Sequence, residues 1–174
     1  KEKRGRMTIT SEGHEELGGE MAIQFLTDLG FHEELITPIS KLIANHLAGV
    51  NISMISKPSS RHRAVKKLSR RLHPATIKQL LCVMEADTNG RGGTEFKIPT
   101  GATEILEIAD EIQVTEKQYE HVLMGRHLIE VGLKPSPLFK TILDKSAEAQ
   151  ENGEFSEIDG AKEWLNKNLT ELTA

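Results

Sequence analysis

Several features that define common protein classes are missing from this sequence. A single cysteine, Cys82, excludes an intramolecular disulfide and fits a reducing compartment, so we expect a cytoplasmic protein. No apolar run approaches the roughly 20 residues of a membrane span, and we expect no membrane partner. A phosphate-binding GK[ST] loop, a nucleotide-binding GxGxxG and a cysteine-pair metal motif are also absent. These absences argue against a disulfide framework, a membrane span and a P-loop or dinucleotide-binding enzyme.

Aromatic residues are scarce as well, at 4% of the chain, so the core must be built mainly from Leu, Ile, Val and Met. The 174 residues, 37% of them hydrophobic, are enough for one helical domain or two small ones. No stretch keeps the alternation of apolar and polar residues that is typical of a strand. The sequence therefore predicts an all-α multi-helix bundle.

Acidic residues are unevenly distributed. Between Leu35 and Met84 there is no Asp or Glu, whereas nine Lys or Arg residues fall in that segment. The remaining 13 bases and all 26 acids give the rest of the chain a charge of −13, within a net charge of −4. A long basic segment inside an acidic protein indicates a surface for a polyanion.

Apolar residues at helical spacing predict the elements and a division into a partial helical domain, 1–98, and a C-terminal helical domain, 99–174. Gly30, Gly132 and Gly153 mark helix ends, Ser136 is a predicted N-cap, and Pro38 suggests that the second helix starts near residue 37. Residues 51–60 read as a linker, and 88–101 as a loop. The predicted helices cover 14–29, 33–47, 61–72, 74–86, 102–113, 115–131, 136–152 and 159–169.

Three polar residues fall on or beside apolar helix faces. His14 opens the first predicted helix, His46 lies on the apolar face of the second, and Asp87 ends the apolar face of another. Imidazole and carboxylate are common ligands of divalent transition metals. For each residue taken singly, a structural interpretation is the commoner one: a polar first-turn residue, a histidine bonded to a backbone carbonyl, and an aspartate that caps the glycine-rich turn after it. The residues by themselves leave both interpretations open.

The basic segment is densest in "SKPSSRHRAVKKLSRRLH", residues 56–73. A thin apolar stripe at Val65, Leu68 and Leu72 would dock this helix and leave its bases outside. Such a face suits the phosphates of RNA, although a solvated helix or one paired with the protein's own acids remains an alternative. With few aromatics for base stacking, we expect recognition of RNA backbone and shape. The predicted RNA-binding residues are Arg61, Arg63, Lys66, Lys67, Arg70, Arg71 and Arg91.

Four stretches together resemble a known family. "GHEELGGEMAIQFLTDLGF", "ITPISKLIANHL", "LLCVMEADTNGRGG" and "LMGRHLIEVGLKPSPLFKTILDKSAEAQENGEF" are similar in order and spacing to the HD-type and C-terminal regions of bacterial tRNA nucleotidyltransferases. This family includes CCA-adding enzymes and poly(A) polymerases. The resemblance covers roughly residues 12–170, with two departures: His127 stands where the family pattern has Asp, and Ser136 where it has Gly.

The resemblance implies an HD-like helical fold in which His14, His46 and Asp87 match the last three ligands of the family's metal site. The family's earlier ligands and its nucleotidyltransferase motifs have no counterpart here. We therefore expect the C-terminal part of a longer enzyme, with tRNA and an N-terminal nucleotidyltransferase domain as its partners. Mg²⁺ is implied for that parent enzyme. We assign no catalytic residue and no certain cofactor to this chain, and a transition metal at the HD-like site is an open expectation.

Three hypotheses about function follow from the sequence. The leading one is a tRNA-binding, HD-like region of a tRNA nucleotidyltransferase that lacks the catalytic domain. The second is a metal-dependent phosphohydrolase acting on phosphoesters. The third is a helical protein-interaction module without chemistry, which would present a large exposed apolar face.

Overall fold

The computed structural model describes residues 2–3, 6–7, 13–90 and 95–173. Apart from one pair of two-residue strands, the described elements are all helices, so the fold is all-α, as predicted. Two short antiparallel strands, β1 (Glu2–Lys3) and β2 (Arg6–Met7), precede the helices. None of the described helices combines the length and apolar character that a membrane crossing requires. The helices are α1 (His14–Asp28), α2 (Glu33–Ala44), α3 (Ala48–Ser53), α4 (Pro58–Leu72), α5 (Ile77–Asn89), α6 (Ala102–Glu111), α7 (Gly125–Glu130), α8 (Leu138–Asn152) and α9 (Ile158–Thr173).

Two compact units divide the chain, residues 1–118 and 119–174. The sequence placed the division at residue 98 and therefore assigned α6 to the second domain. In the structure α6 packs with α3, α4 and α5, and its Ile105 and Ala109 are fully buried. An apolar helix face after a loop indicates burial but not which helices bury it, so the sequence could not place α6.

Helices α1 and α2 form an antiparallel hairpin that turns at Gly30, whose φ is +80°. The contact is close because glycine faces α2: a Cβ on Gly19 would lie 3.0 Å from the Ser40 carbonyl oxygen and 3.1 Å from the Ala44 Cβ. Helix α2 begins at Glu33, as the predicted range 33–47 has it. The alternative start near residue 37, which Pro38 suggested, is wrong, because Pro38 lies inside the helix. The five residues before Pro38 already form the first turn of α2. Two acids in that turn, Glu33 and Glu34, stabilise the N-terminus of the helix.

The core of the first unit forms where α4, α5 and α6 meet. Val65, Leu68 and Leu72 of α4 are buried as predicted, together with Ile77 and Leu80 of α5. Helix α3 approaches this core through Gly49, where a Cβ would lie 2.3 Å from the Thr100 carbonyl oxygen. The predicted linker 51–60 is correspondingly shorter, because α3 extends to residue 53 and α4 begins at 58.

Capping explains where α5 starts. Thr76 Oγ1 accepts a hydrogen bond from the Gln79 backbone N–H at 3.2 Å, and Gln79 Oε1 accepts one from the Thr76 N–H at 2.9 Å. This reciprocal capping box satisfies two donors that the first helical turn leaves unpaired. Helix α5 consequently begins at Ile77 rather than at Pro74, and it runs three residues further than predicted, to Asn89.

The helix predicted over 115–131 is wrong except for its last turn, α7. After α6 the chain turns at Gln113, which has a φ of 57°, and then buries Val114. The Thr115 hydroxyl donates to the Asp110 carboxylate, and the Thr115 carbonyl accepts from the Lys78 N–H at 3.0 Å. These contacts with α5 and α6 replace the backbone bonds of a helix over this segment.

The second unit has its own core between α8 and α9. Leu128, Ile142 and Leu165 are completely buried there. Gly153, with φ 81°, ends α8 as predicted, and the Glu154 N–H bonds the Ala149 carbonyl at 3.0 Å. The Ser136 side chain does not cap α8, which begins two residues later at Leu138.

Candidate nucleic-acid interface

Helix α4 carries the basic surface. Its buried side consists of Val65, Leu68, Ser69 and Leu72, so the basic side chains are confined to the remaining circumference. Pro58 opens the helix with the backbone angle that a first turn needs. Among the predicted RNA-binding residues, Lys67 and Arg71 are exposed, and Arg61, Arg63, Lys66 and Arg70 are half-buried.

Arg61 has a structural role that its sequence position did not reveal. Its guanidinium donates to the Glu104 carboxylate on α6 and, through Nε, to the Ile55 carbonyl in the turn after α3. Both partners of the ion pair are about three-quarters shielded from solvent. Arg61 thus joins three elements of the first unit, and its guanidinium is engaged by Glu104 and Ile55 rather than open to a phosphate.

Arg63 and Arg71 have contrasting surroundings. Arg63 Nε is buried without a hydrogen-bond acceptor among the described residues, so this guanidinium is incompletely satisfied. Arg71 lines a cavity of about 350 Å³ together with Glu15, Glu16 and Lys41. Partial desolvation of the guanidinium beside this cavity lowers the pKa of Arg71 from its ordinary value, while the side chain as a whole is exposed; an arginine stays charged at neutral pH. The end of the basic helix therefore borders acidic groups of α1.

His62 is a titratable group on α4 whose contacts no local sequence pattern indicates. Its Nε2 lies 3.0 Å from Glu111 Oε2 and its Nδ1 lies 3.1 Å from the Pro58 carbonyl oxygen. Only the imidazolium can donate at both nitrogens, so the bonds to Glu111 and Pro58 raise the pKa of His62. Protonation adds a seventh positive charge to α4 beside Arg61.

The two predicted metal ligands His14 and His46 meet at the α1–α2 hairpin. Their Nε2 atoms are 3.2 Å apart, and the ring centroids are 5.1 Å apart in an edge-to-face arrangement. His46 Nδ1 lies 2.6 Å from the Ile43 carbonyl oxygen, which requires the proton on Nδ1. His46 Nε2 then accepts from His14 Nε2 in the neutral pair. The backbone-carbonyl bond foreseen for His46 is therefore confirmed.

Asp87 shares a cavity with His46. The cavity has a volume of about 410 Å³ and is lined also by Met84, Lys97 and Thr100. Asn89 holds Lys97 there: Asn89 Oδ1 accepts from the Lys97 N–H at 2.8 Å, and Asn89 Nδ2 donates to the Lys97 carbonyl at 3.0 Å. The wall of this cavity thus combines a histidine and an aspartate with the backbone segment at Lys97 that Asn89 holds.

The donor set fits a metal ion in part. Two imidazole nitrogens bound to one tetrahedral Zn²⁺ at the usual lengths lie roughly 3.3 Å apart, close to the separation in the histidine pair. The bond of His46 Nδ1 to the Ile43 carbonyl is of the kind that orients a metal-binding histidine and leaves its Nε2 available to a metal. In the described part of the chain, however, no three His, Cys, Asp or Glu side chains are grouped to hold a metal. Metal binding by His14, His46 and Asp87 stays a prediction.

Arg91, the last predicted RNA-binding residue, lies outside the described residues. The contacts of Arg61 and His62 were missed because Glu104 and Glu111 are more than forty positions away in sequence, and no local pattern links them. A basic helix followed by an acidic one was the available signal. It indicates attraction between the two but not which groups pair.

Comparison of the chain with protein-family models, curated proteins and solved structures found no match. The interpretation of the surface therefore depends on the contacts described above and on the motifs in the sequence.

Proposed function

We propose that this chain is the HD-like, tRNA-holding C-terminal region of a tRNA nucleotidyltransferase of the CCA-adding or poly(A) polymerase type. The observation that carries the proposal is the packing of α4. Its apolar residues Val65, Leu68 and Leu72 are buried in the core, and the basic residues of the helix lie on its remaining sides. Phosphate contacts of this kind position RNA without reading its sequence.

One departure from the family pattern in the tail of the chain is compatible with the proposal. His127, where the family pattern has Asp, is buried at the start of α7, and its Nδ1 accepts from the Met124 N–H at 3.0 Å. A carboxylate at this position would serve as the same acceptor. The substitution therefore keeps the local hydrogen bond, so the departure does not weigh against the resemblance.

In the proposed parent enzyme, a separate N-terminal domain with Mg²⁺ adds nucleotides to the tRNA 3′ end, in the cytoplasm. This region holds the body of the tRNA, so the isolated chain transfers no CMP or AMP. Its part is to supply Lys and Arg contacts to backbone phosphates, with Lys67 and Arg71 the most exposed.

The test measures tRNA binding across a salt series. It compares the unmodified chain with its triple variant Arg63→Glu, Lys67→Glu, Arg71→Glu. Unmodified protein is expected to bind with a Kd that rises steeply with salt. Each phosphate contact contributes a slope of roughly 0.9 in log Kd against log salt for duplex DNA, so the variant should lose a slope of about two to three.

The matched control reverses three exposed lysines of the second unit, Lys134→Glu, Lys140→Glu and Lys145→Glu, which changes the net charge by the same amount. Circular dichroism and thermal unfolding verify that each variant is folded. An equal loss of tRNA affinity in both triple variants would show that net charge alone causes it, which would contradict the assignment of the RNA surface to α4. Binding by the unmodified protein no tighter than that of an acidic control protein would reject the proposal.

A second candidate function, metal-dependent hydrolysis of phosphoesters, is favoured by one observation, the 3.2 Å separation of the His14 and His46 Nε2 atoms. A bound divalent metal would supply a Lewis acid there, with Asp87 on the neighbouring cavity wall. Co²⁺ titration followed by visible absorption measures binding directly. A cobalt spectrum that His46→Ala removes supports this function, and phosphoester hydrolysis that survives both chelation and His46→Ala excludes it.

A further inference from the structure

Helix α1 presents an apolar stripe to solvent. Leu17, Met21, Phe25 and Leu29 recur every four residues and are 57%, 62%, 63% and 58% exposed. Gly18 and Gly19 instead lie on the side of α1 that faces α2, and Gly19 is buried there. These four residues, called the α1 stripe here, are continued at the helix turn by Phe31, which is 46% exposed. So regular a row of large apolar side chains marks an interaction surface.

The α1 stripe belongs to an acidic segment of the chain. From His14 to Ser40 the sequence has six acids and no Lys or Arg. Glu16, Glu20 and Asp28 of α1 are exposed beside the stripe. An occupant must therefore bring apolar side chains and positive charge together, because an acidic rim repels an acidic partner. The same rim disfavours RNA and anionic lipid at this surface.

A second copy of the chain does not meet these requirements. In a two-fold dimer each α1 stripe would face its own acidic rim. The basic helix of another copy, α4, would supply the charge, but its apolar residues Val65, Leu68 and Leu72 are already buried in the core. The occupant needs an apolar face that is not committed elsewhere.

We propose that the α1 stripe binds a basic amphipathic helix of another polypeptide. Rows of side chains four residues apart are the ridges that pack into the grooves of a second helix. The partner's apolar residues would lie between Leu17, Met21 and Phe25, and its Lys or Arg residues would face Glu16 and Glu20. This surface is independent of the tRNA-holding role of α4.

The experiment uses a dye-labelled synthetic helix of leucine and lysine as probe, and a second helix in which glutamate replaces every lysine. Fluorescence anisotropy measures the Kd of each for the full chain. The leucine–lysine helix is expected to bind, and the leucine–glutamate helix to bind at least about tenfold more weakly. Comparable binding of both helices would overturn the proposal.

Variants locate the surface. Met21→Gln combined with Phe25→Gln should raise the Kd of the leucine–lysine helix about tenfold or more, since two apolar side chains no longer gain from burial. Glu20→Lys should weaken binding as well, by reversing a rim charge. Met54→Gln is the matched control, because Met54 is 75% exposed and lies outside the α1 stripe. All four positions are exposed, so folding is expected to be unaffected, which thermal unfolding checks.

Three outcomes contradict the proposal. One is an unchanged Kd in the Met21→Gln, Phe25→Gln variant. Another is self-association of the unmodified chain in sedimentation that this variant abolishes, which assigns the stripe to a second copy. The third is binding to phosphatidylserine vesicles that the same variant removes, which assigns it to a lipid surface.

Discussion

At the scale of single residues, Arg61 and His62 are neighbours on α4 whose charges serve different purposes. Arg61 bonds the Glu104 carboxylate and the Ile55 carbonyl, whereas His62 bonds Glu111 and the Pro58 carbonyl. Arg61→Lys keeps the charge but loses the two-pronged geometry, so it should lower the free energy of unfolding by about 1–2 kcal/mol. Urea unfolding measures this loss. A tRNA affinity that falls while stability is unchanged would contradict the structural role.

The ion pair of His62 with Glu111 should make stability depend on pH. The pKa of His62 is raised in the folded protein, so its contribution is fully present below the unfolded value of about 6.5 and disappears as pH rises through the folded pKa. Glu111→Gln should therefore lower the free energy of unfolding at pH 5.5 by at most about 1 kcal/mol, since Glu111 is largely exposed, and by almost nothing at pH 9.

Urea unfolding of the Glu111→Gln variant at these two pH values measures the effect. Glu107→Gln is the control, because it removes another exposed carboxylate of α6. An equal loss of stability at both pH values in the Glu111→Gln variant would show that the histidine does not gain its proton from this contact.

At the scale of elements, α3 and the start of α6 approach each other closely through two glycines, Gly49 and Gly101. Gly101 has a φ of 75°, and a Cβ there would lie 2.2 Å from the Gly49 carbonyl oxygen. Gly101→Ala should therefore lower the free energy of unfolding by about 3 kcal/mol or more, as strained backbone and steric overlap combine.

Gly30→Ala separates the two causes. Gly30 has a φ of 80° but no atom within 4 Å of an added Cβ, so only the backbone strain of about 1–2 kcal/mol should appear. Thermal or urea unfolding of both variants gives the comparison. A similar loss of unfolding free energy in Gly101→Ala and Gly30→Ala would mean that α3 and α6 move apart at Gly49 with little cost.

The elements also show what a sequence can and cannot predict. Gly153 and the stripe at Val65, Leu68 and Leu72 are local signals, and α8 and α4 were placed correctly from them. The segment after α6 was misread because the burial of Val114 and the bond of Thr115 to Lys78 depend on α5, which is distant in sequence. In α1 the apolar pattern indicated a helix, but the helix packs through its glycines.

In the candidate site, too, contacts within one helical turn were predictable from the sequence and distant contacts were not. His46 was correctly assigned a backbone carbonyl because that contact lies within one helical turn. The meeting of His14 with His46 spans 32 positions and came only from the family resemblance. The position of Asp87 depends on where α5 ends and on the loop that Asn89 holds, and spacing determines neither.

At the scale of the whole molecule, each unit has a separate core, so a defect in one should remain local. Leu68→Ala should destabilise residues 13–118 by about 2–5 kcal/mol, and Ile142→Ala should do the same to residues 119–173. Hydrogen exchange read by mass spectrometry reports the two ranges separately. Faster exchange throughout both ranges in either variant would show that the units unfold together.

The lone thiol of Cys82 has a practical consequence. Cys82 is exposed on α5, and the chain has no other cysteine. A maleimide dye would therefore attach once per molecule, at a known place on a helix that packs against α4, without any substitution in the protein. Energy transfer from that dye to an acceptor on the tRNA would locate the bound nucleic acid relative to the first unit in the native sequence.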